Sequence, residues 1–421
     1  MNKFEQADDI VSARQDLPTV SIPLSFIEFV ALTAALMALT ALSIDIMLPA
    51  LPEIGSALGV DNQNDRQLVI ILYMAGFAGG QLIYGPLSDR FGRRPVLLAG
   101  LGIFVAGTIA ALVSQSFYWL LAARIVQGLG AASPRVMAMA VVRDLYSGRQ
   151  MARVMSFAMM VFIVIPVFAP SIGQGLIHLG DWYWTFYALL AIGLGLTVWA
   201  GSRLPETAPS ALGTDRPLAL VQSFKMAILD PQTVAYGVAT GFMFGCLISY
   251  VASAQQLFVD VFHMGEMFPL LFGAVASTMA IASFTNARLV GRLGMRRVSH
   301  TALVGFLVAS LSLAVASEFG VATLPVFAIL VGSTFFMFGL IAPNFNALAM
   351  ETQGHNAGMA ASVVGSLSTS IGAVAGGLIG HEFDGSVLPL SLGFAGCSLV
   401  AFLIVLWAEG PAGLFGLNRP N

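Results

Sequence analysis

The chain has little charge, little sulfur and little histidine, and each scarcity excludes something. Only 10% of its 421 residues are charged, whereas 57% are hydrophobic and the mean hydropathy is +0.85. That balance is too apolar for a soluble domain of this length; the net charge of −3 says little about partners, and no nucleic acid is expected among them. The two cysteines, Cys246 and Cys397, both lie inside apolar runs and read as buried, inert thiols. Five histidines (His178, His263, His300, His355, His381) are scattered singly, without metal-ligand spacing, so no metal is expected. There is no Gly-x-x-x-x-Gly-Lys-Ser/Thr run to cradle a nucleotide and no other enzymatic motif. With no cofactor expected, any work done must draw on an ion or substrate gradient. One proton crossing ~100 mV releases about 2.3 kcal/mol, enough for a gradient of roughly fifty-fold at 1.4 kcal/mol per decade.

What the chain has instead is apolar runs of membrane length. About 20 apolar residues cross a ~30 Å hydrocarbon core, and twelve such runs can be drawn. Six fall near residues 26–48, 68–87, 96–114, 118–141, 155–177 and 182–201. Six more fall near 233–257, 268–287, 299–316, 322–341, 358–380 and 387–407. The fold class is therefore an all-α membrane protein of twelve transmembrane helices in two six-helix halves. The halves span 26–202 and 233–407. A tail over 1–25 precedes them, without the basic, short-cored pattern of a cleavable signal. A linker over 203–232 separates them. Pro205, Pro209, Pro217 and Pro231 break it repeatedly, and an amphipathic turn near 218–229 is expected on the membrane surface. A second tail covers 408–421.

The densest charge in the chain lies between the second and third runs, in Gly85-Pro-Leu-Ser-Asp-Arg-Phe-Gly-Arg-Arg-Pro95. Its glycines and prolines predict a short turn rather than helix. A weaker copy, Gly291-Arg-Leu-Gly-Met-Arg-Arg297, places Gly294 202 residues after Gly92, close to half the chain. Two halves of one design follow. With the amino terminus inside, sixteen of the 19 Lys and Arg fall in inner loops and tails, Arg66 alone falls outside, and Arg124 and Arg135 lie within the fourth helix. That bias predicts two cytoplasmic termini in a bacterial inner (plasma) membrane.

Three ionisable residues inside these runs are candidates for function. Asp45 stands four residues before Pro49, in the outer third of the first helix. A carboxylate at that depth is costly unless it faces a cavity, which makes it a functional candidate, although an acid snorkelling to the interface fits the same position. At 1.5 Å rise per residue, Arg124 in the fourth helix lies within about one turn of the same depth. The two could pair across a cavity, or Arg124 could be structural. Burial favours the neutral carboxyl and a guanidinium favours the charged one. A residue balanced between the two could exchange a proton as the cavity opens alternately. Arg135, three turns after Arg124 on the same face, could line the cavity or snorkel inward. Met37, two turns below Asp45, and the polar Gln81, Gln127 and Asn346 are candidates for contacting a substrate, against core packing as the plain alternative. Pro166, Pro170, Gly173 and Gly175 interrupt the fifth helix, and Gly372, Gly376 and Gly380 recur in the eleventh, as pivots or as simple close-packing seams.

Several stretches carry a family likeness. Gly85-x-x-x-Asp89-Arg90-x-Gly92-Arg93-Arg94 resembles the signature loop of the major facilitator superfamily, and residues 291–297 its counterpart, with Gly291 where the first copy has Asp89. Four motifs narrow the likeness to the bicyclomycin/chloramphenicol-resistance (Bcr/CflA) branch of drug:proton antiporters. They are Leu42-Ser-Ile-Asp45 with its Leu-Pro-Ala-Leu-Pro52 continuation, Arg124-x-x-Gln127-Gly128-x-Gly130, Pro166-x-x-x-Pro170-x-x-Gly173-x-Gly175, and Leu204-Pro-Glu-Thr207. Ala342-Pro-Asn344 fits as well, whereas Tyr183 stands where the branch often has a basic residue. The resemblance implies alternating access, a proton gradient as energy source, a small-molecule substrate, Asp45 and Arg124 in proton coupling, and a monomer in the bilayer. It also implies a latch in which Asp89 meets the start of the eleventh helix near Gly358 and Arg93 pairs with Asp144, with Arg90 and Arg94 beside them. Met37 stands where some exporters carry a second acid, which weighs against a preference for cationic drugs. A single native metabolite as substrate, or a sensor that transports nothing, would use the same scaffold.

Overall fold

The computed structural model describes residues 24–146, 148–208 and 216–413. The expected tails up to residue 23 and from residue 414, and linker residues 209–215, lie outside the described residues. All regular structure described is helical. Twelve long helices carry it. In the first half they are α1 (Phe26–Asp45), α2 (Leu68–Phe91), α3 (Arg93–Leu112), α4 (Phe117–Leu145), α5 (Gly148–Leu179) and α6 (Tyr183–Arg203). In the second they are α7 (Pro231–Gln256), α8 (Phe268–Leu293), α9 (Met295–Glu318), α10 (Leu324–Met350), α11 (Ala357–His381) and α12 (Leu388–Gly413). Eleven are long and apolar enough to cross a membrane by themselves, and α5 adds the shorter apolar stretch Val164–Leu179. A short helix, Leu51–Ala57, follows α1, and another, Arg216–Leu229, fills the linker where a surface helix is expected.

Large apolar side chains such as Val198, Phe284, Ile329, Leu378 and Trp407 stand more than 60% exposed. In water such a surface would aggregate; as a belt around a helical bundle it meets lipid. The long helices alternate in direction, so their ends form two faces. One carries residues 91–93, 145–146 and 148, 203–208 and 216–231, 293–295 and 350–357. The opposite face carries 45–68, 112–117, 179–183, 256–268 and 381–388.

The charged knot differs from the expected turn. α2 continues through Gly85 and Pro86 to Phe91, and α3 begins at Arg93, so the turn is one residue, Gly92, with φ 97° and ψ 156°. The copy repeats it: α8 ends at Leu293, Gly294 has φ 82° and ψ 157°, and α9 begins at Met295. Only glycine enters that region without strain, which explains the 202-residue repeat better than the charges do. Proline misled twice in the same way. α10 runs through Pro343 to Met350, well beyond the expected end at 341. A membrane helix keeps going where neighbours satisfy the freed carbonyl.

Glycines set the close approaches. Cβ atoms built on Gly76 and Gly128 would stand 2.1 Å from the Ile125 carbonyl oxygen and 1.9 Å from that of Tyr73, so α2 and α4 touch backbone to backbone. The α11 stripe serves two partners rather than one seam. Gly372 and Gly376 face Phe244 and Ile248 of α7 within the second half, while Gly365, Gly377 and Gly380 face Gln81, Ile71 and Gln67 of the first half.

Candidate functional site

Asp45 is the last residue of α1 and is 4% exposed. Among the described residues its carboxylate has no hydrogen-bond or ion-pair partner. The expected pair with Arg124 does not form. Arg124 is fully buried and spends its donors elsewhere: Nε on the Val69 carbonyl at 2.9 Å, Nη2 on the Ser43 carbonyl at 3.0 Å, and Nη1 on Gln127 Oε1 at 2.5 Å. Its guanidinium also lies 4.3 Å from the centre of the Tyr73 ring. The planar fork of five donors suits three fixed acceptors and a ring face. Depth alone could bring Arg124 level with Asp45, and it does touch α1, but two residues away and through the backbone. Gln127 donates in turn to Thr108 Oγ1 of α3 at 2.8 Å, so it holds Arg124 rather than standing open to a substrate.

The other candidates are dispersed. Arg135 lies 5.7 Å from the Phe77 ring of α2. Met37 is buried in the first-half core. Gln81 crosses between the halves and donates to Thr369 Oγ1 of α11 at 2.9 Å. Asn346 bonds back to the Ala342 carbonyl of its own helix at 2.9 Å. Pro166 and Pro170 stay within α5, where Pro170 leaves the Pro166 carbonyl without its helical donor. A Cβ on Gly173 would stand 2.1 Å from the Ile46 carbonyl oxygen, so α5 rests against the end of α1 beside Asp45. Gly175 faces open space, and on the second-half side Gly273 of α8 meets Val167 of α5.

The knot is an ion network. Arg93 is buried and bonds Asp144 at 2.9 Å, Asp89 at 2.6 Å and Ser88 Oγ at 2.6 Å. Arg94 bonds the Gly201 carbonyl, and Arg90 stacks on its neighbour Phe91 with 5.2 Å to the ring centre. Gly358 at the start of α11 has Arg143 beside it, with Nη1 3.0 Å from where a Cβ would stand.

Sequence reasoning missed the role of Glu206. Its carboxylate accepts from the backbone N–H of Arg93 at 2.7 Å, Arg94 at 3.2 Å, Thr207 at 3.0 Å and Ala208 at 2.9 Å. It therefore caps the positive end of α3 from the end of α6. Glu206→Gln is expected to cost about 1–2 kcal/mol, read as a lower melting temperature of the purified protein.

The second half has its own network, also missed. Arg296 of α9 is 2% exposed and bonds Glu351 at 2.5 Å and Glu409 of α12 at 2.8 Å. Tyr236 of α7 donates to Glu409 at 2.7 Å and lies 3.0 Å from His300 Nε2. Glu409 falls 203 residues after Glu206 and Arg296 202 after Arg94, so the internal repeat extends to the acids. The spacing was there to find, but no short motif surrounds Glu409 to draw attention to it.

Twelve membrane-length helices in two halves, each hinged on a helix–glycine–helix turn and each holding a buried ion network, define a membrane transporter scaffold rather than an enzyme. The family model of the Major Facilitator Superfamily matches residues 33–377, and the chain belongs to that superfamily. It is 28% identical over 389 residues to the uncharacterized MFS-type transporter YdgK of Bacillus subtilis, covering 90% of this chain and 92% of the relative. The bicyclomycin resistance protein homolog of Haemophilus influenzae is 28% identical over 86% of this chain and 90% of its own length. The multidrug resistance protein MdtL of Escherichia coli is 29% identical over 70% and 74%. Among solved structures, the xylose transporter XylE of E. coli, in a partially occluded inward-open conformation, superposes with a TM-score of 0.67 at 14% identity, covering 92% of this chain and 98% of XylE. The human organic anion transporter MFSD10 gives 0.64 at 19%, over 89% and 98%. At these identities the two structures establish the fold.

Proposed function

We propose that the protein is a proton-coupled exporter of small amphiphilic or hydrophobic compounds, working by alternating access in a bacterial inner membrane. The observation that carries this reading is the Asp45 carboxylate, buried at the end of a membrane helix with no partner among the described residues. An ionisable group is costly to place there without a function, and exchanging a proton as water reaches it would supply one. Arg124, fixed by two backbone carbonyls and Gln127, stays in place through that change. It therefore supplies a constant positive field rather than a partner that must be broken. Gly173 of α5 abuts the end of α1, and Pro166 and Pro170 interrupt the same helix just before it, where a rocking motion would alter water access to Asp45. The names of the Haemophilus and Escherichia relatives, bicyclomycin and multidrug resistance, favour drugs over a native metabolite.

The test is proton movement in inverted vesicles containing the protein. Addition of amphiphilic antibiotics should discharge a preformed pH gradient in proportion to drug concentration. If no member of a broad panel does so while a polar metabolite does, export of drugs is the wrong reading. If nothing discharges it, coupled transport itself is.

A further inference from the structure

The face opposite the knot is closed by amides. Residues Gln63–Gln67 form one 3-10 turn before α2, and two side chains there, with Gln256 at the end of α7, join the halves. Asn64 Nδ2 donates to the carbonyls of His381 at 2.9 Å and Phe383 at 2.7 Å. Gln67 Nε2 donates to the Gly380 carbonyl at 3.1 Å and to Gln256 Oε1 of α7 at 2.6 Å. Gln256 Nε2 closes the ring on Asn64 Oδ1 at 2.9 Å. Gln67 and Gln256 are 2% and 3% exposed, and Gln67 Oε1 has no hydrogen-bond partner among the described residues.

We propose that Asn64, Gln67 and Gln256 form the gate that closes this end of the crevice between the halves, with Gly380 as the notch that lets Gln67 seat. The carbonyls of His381 and Phe383, at and just past the end of α11, and the second lone pair of the Gly380 carbonyl, which also accepts from the Phe383 N–H at 3.2 Å, take their side-chain donors from the other half of the molecule. When the end opens, water can take over every one of these bonds, so each contributes little net free energy and the closed state is only moderately favoured. A gate built this way holds without locking. The turn that carries it is firm: Arg66 bonds the Gln63 carbonyl at 2.8 Å and Gln63 Oε1 at 3.1 Å, and its stem fills the space above Gly55 of the short helix Leu51–Ala57. Asn64 and Gln67 thus move with the first half as one piece, and Gln256 moves with the second. On the other side, a Cβ at Gly380 would fall 1.7 Å from Gln67 Oε1, the tightest approach of any glycine in α11. A side chain there would displace the Gln67 amide from its seat.

The inference rests on alternating access, but its readout is a distance, so a failed drug panel does not decide it. Spin labels go on the exposed Asp61 and Glu382, in full-length protein with Cys246 and Cys397 replaced by alanine, reconstituted in lipid nanodiscs. Electron–electron double resonance should give a dominant short distance in the parent. Gly380→Ala should add a longer one, with open over closed raised by roughly tenfold or more, as expected for losing two to three hydrogen bonds. Gln67→Ala should move the same way without adding bulk, which guards against a general packing defect in Gly380→Ala. Gly377→Ala, whose Cβ would meet only the Ile71 side chain at 3.2 Å, should leave the distribution as in the parent. Unchanged distances in both Gly380→Ala and Gln67→Ala, or equal widening in Gly377→Ala, would overturn the gate.

Discussion

Asp45→Asn is expected to reduce drug-induced proton movement to the level of vesicles without the protein, while leaving the protein in the membrane at its usual abundance. The carboxylate has no hydrogen bond or ion pair to lose among the described residues, so the amide removes only the ability to release a proton. Stability should hold or rise slightly, because a buried acid that is costly when charged is replaced by a neutral group of the same shape. The separation of the two readouts is the point. A structural acid would show the opposite pattern, with melting temperature falling and any flux falling in proportion. Asp45→Glu keeps the proton and should retain part of the flux, since the longer side chain shifts the group by about one methylene. Loss of flux in Asp45→Asn with a matching loss of folded protein would remove Asp45 from the coupling step. Full flux in a well-folded Asp45→Asn would do so more directly.

Helix count and the two-fold repeat were legible in the sequence because each rests on a one-dimensional signal: run length and spacing of glycines. Side-chain partners were not, and the misses have a common cause. Asp45 and Arg124 were placed at one depth by counting residues, but depth does not say which way a guanidinium turns. Arg124 turned to the carbonyls of Ser43 and Val69. Gln127 looked available for substrate because a polar residue in a membrane helix invites that reading, yet it serves Arg124 and Thr108. Arg93 and Asp144 do meet at 2.9 Å, as the family likeness implied. Glu206 stood in the noted Leu204-Pro-Glu-Thr207 motif but with no partner to assign it, and Glu409 carried no local oddity in the sequence. Their importance is contact across more than a hundred residues, with Arg93 in one case and Arg296 in the other. Gly380, read as one of a packing stripe, separates from Gly372 and Gly376 only when the helix is seen to face two neighbours at once.

Arg296→Met should destabilise the protein more than any other single substitution at the ends of the helices, by roughly 3–5 kcal/mol. Arg296 is almost wholly buried and lies between Glu351 and Glu409, whose own side chains are 25% and 4% exposed. Removing it strands Glu409 against the Tyr236 hydroxyl alone, in a site with little water. Glu351 loses less, because it is more exposed and still accepts from Gln232 at 2.9 Å. The asymmetry gives a sharper test than the single variant. Adding Glu409→Gln to Arg296→Met removes the stranded charge and should recover a substantial part of the lost melting temperature, whereas adding Glu351→Gln should recover little. Non-additivity of that kind is what a shared buried charge produces, and independent sites would simply add. The parallel with the first half fixes the meaning of either outcome. If Glu409 is the counterpart of Glu206, it holds the start of α9 as Glu206 holds the start of α3, one through a side chain and the other through backbone N–H groups. Each half is then a rigid body keyed at its glycine hinge, and motion is left to the seams where α2 meets α11 and α5 meets α8. If the double variant Arg296→Met/Glu409→Gln is no better than Arg296→Met, the second half is held by packing of α9, α10 and α12, and the repeat is one of backbone alone.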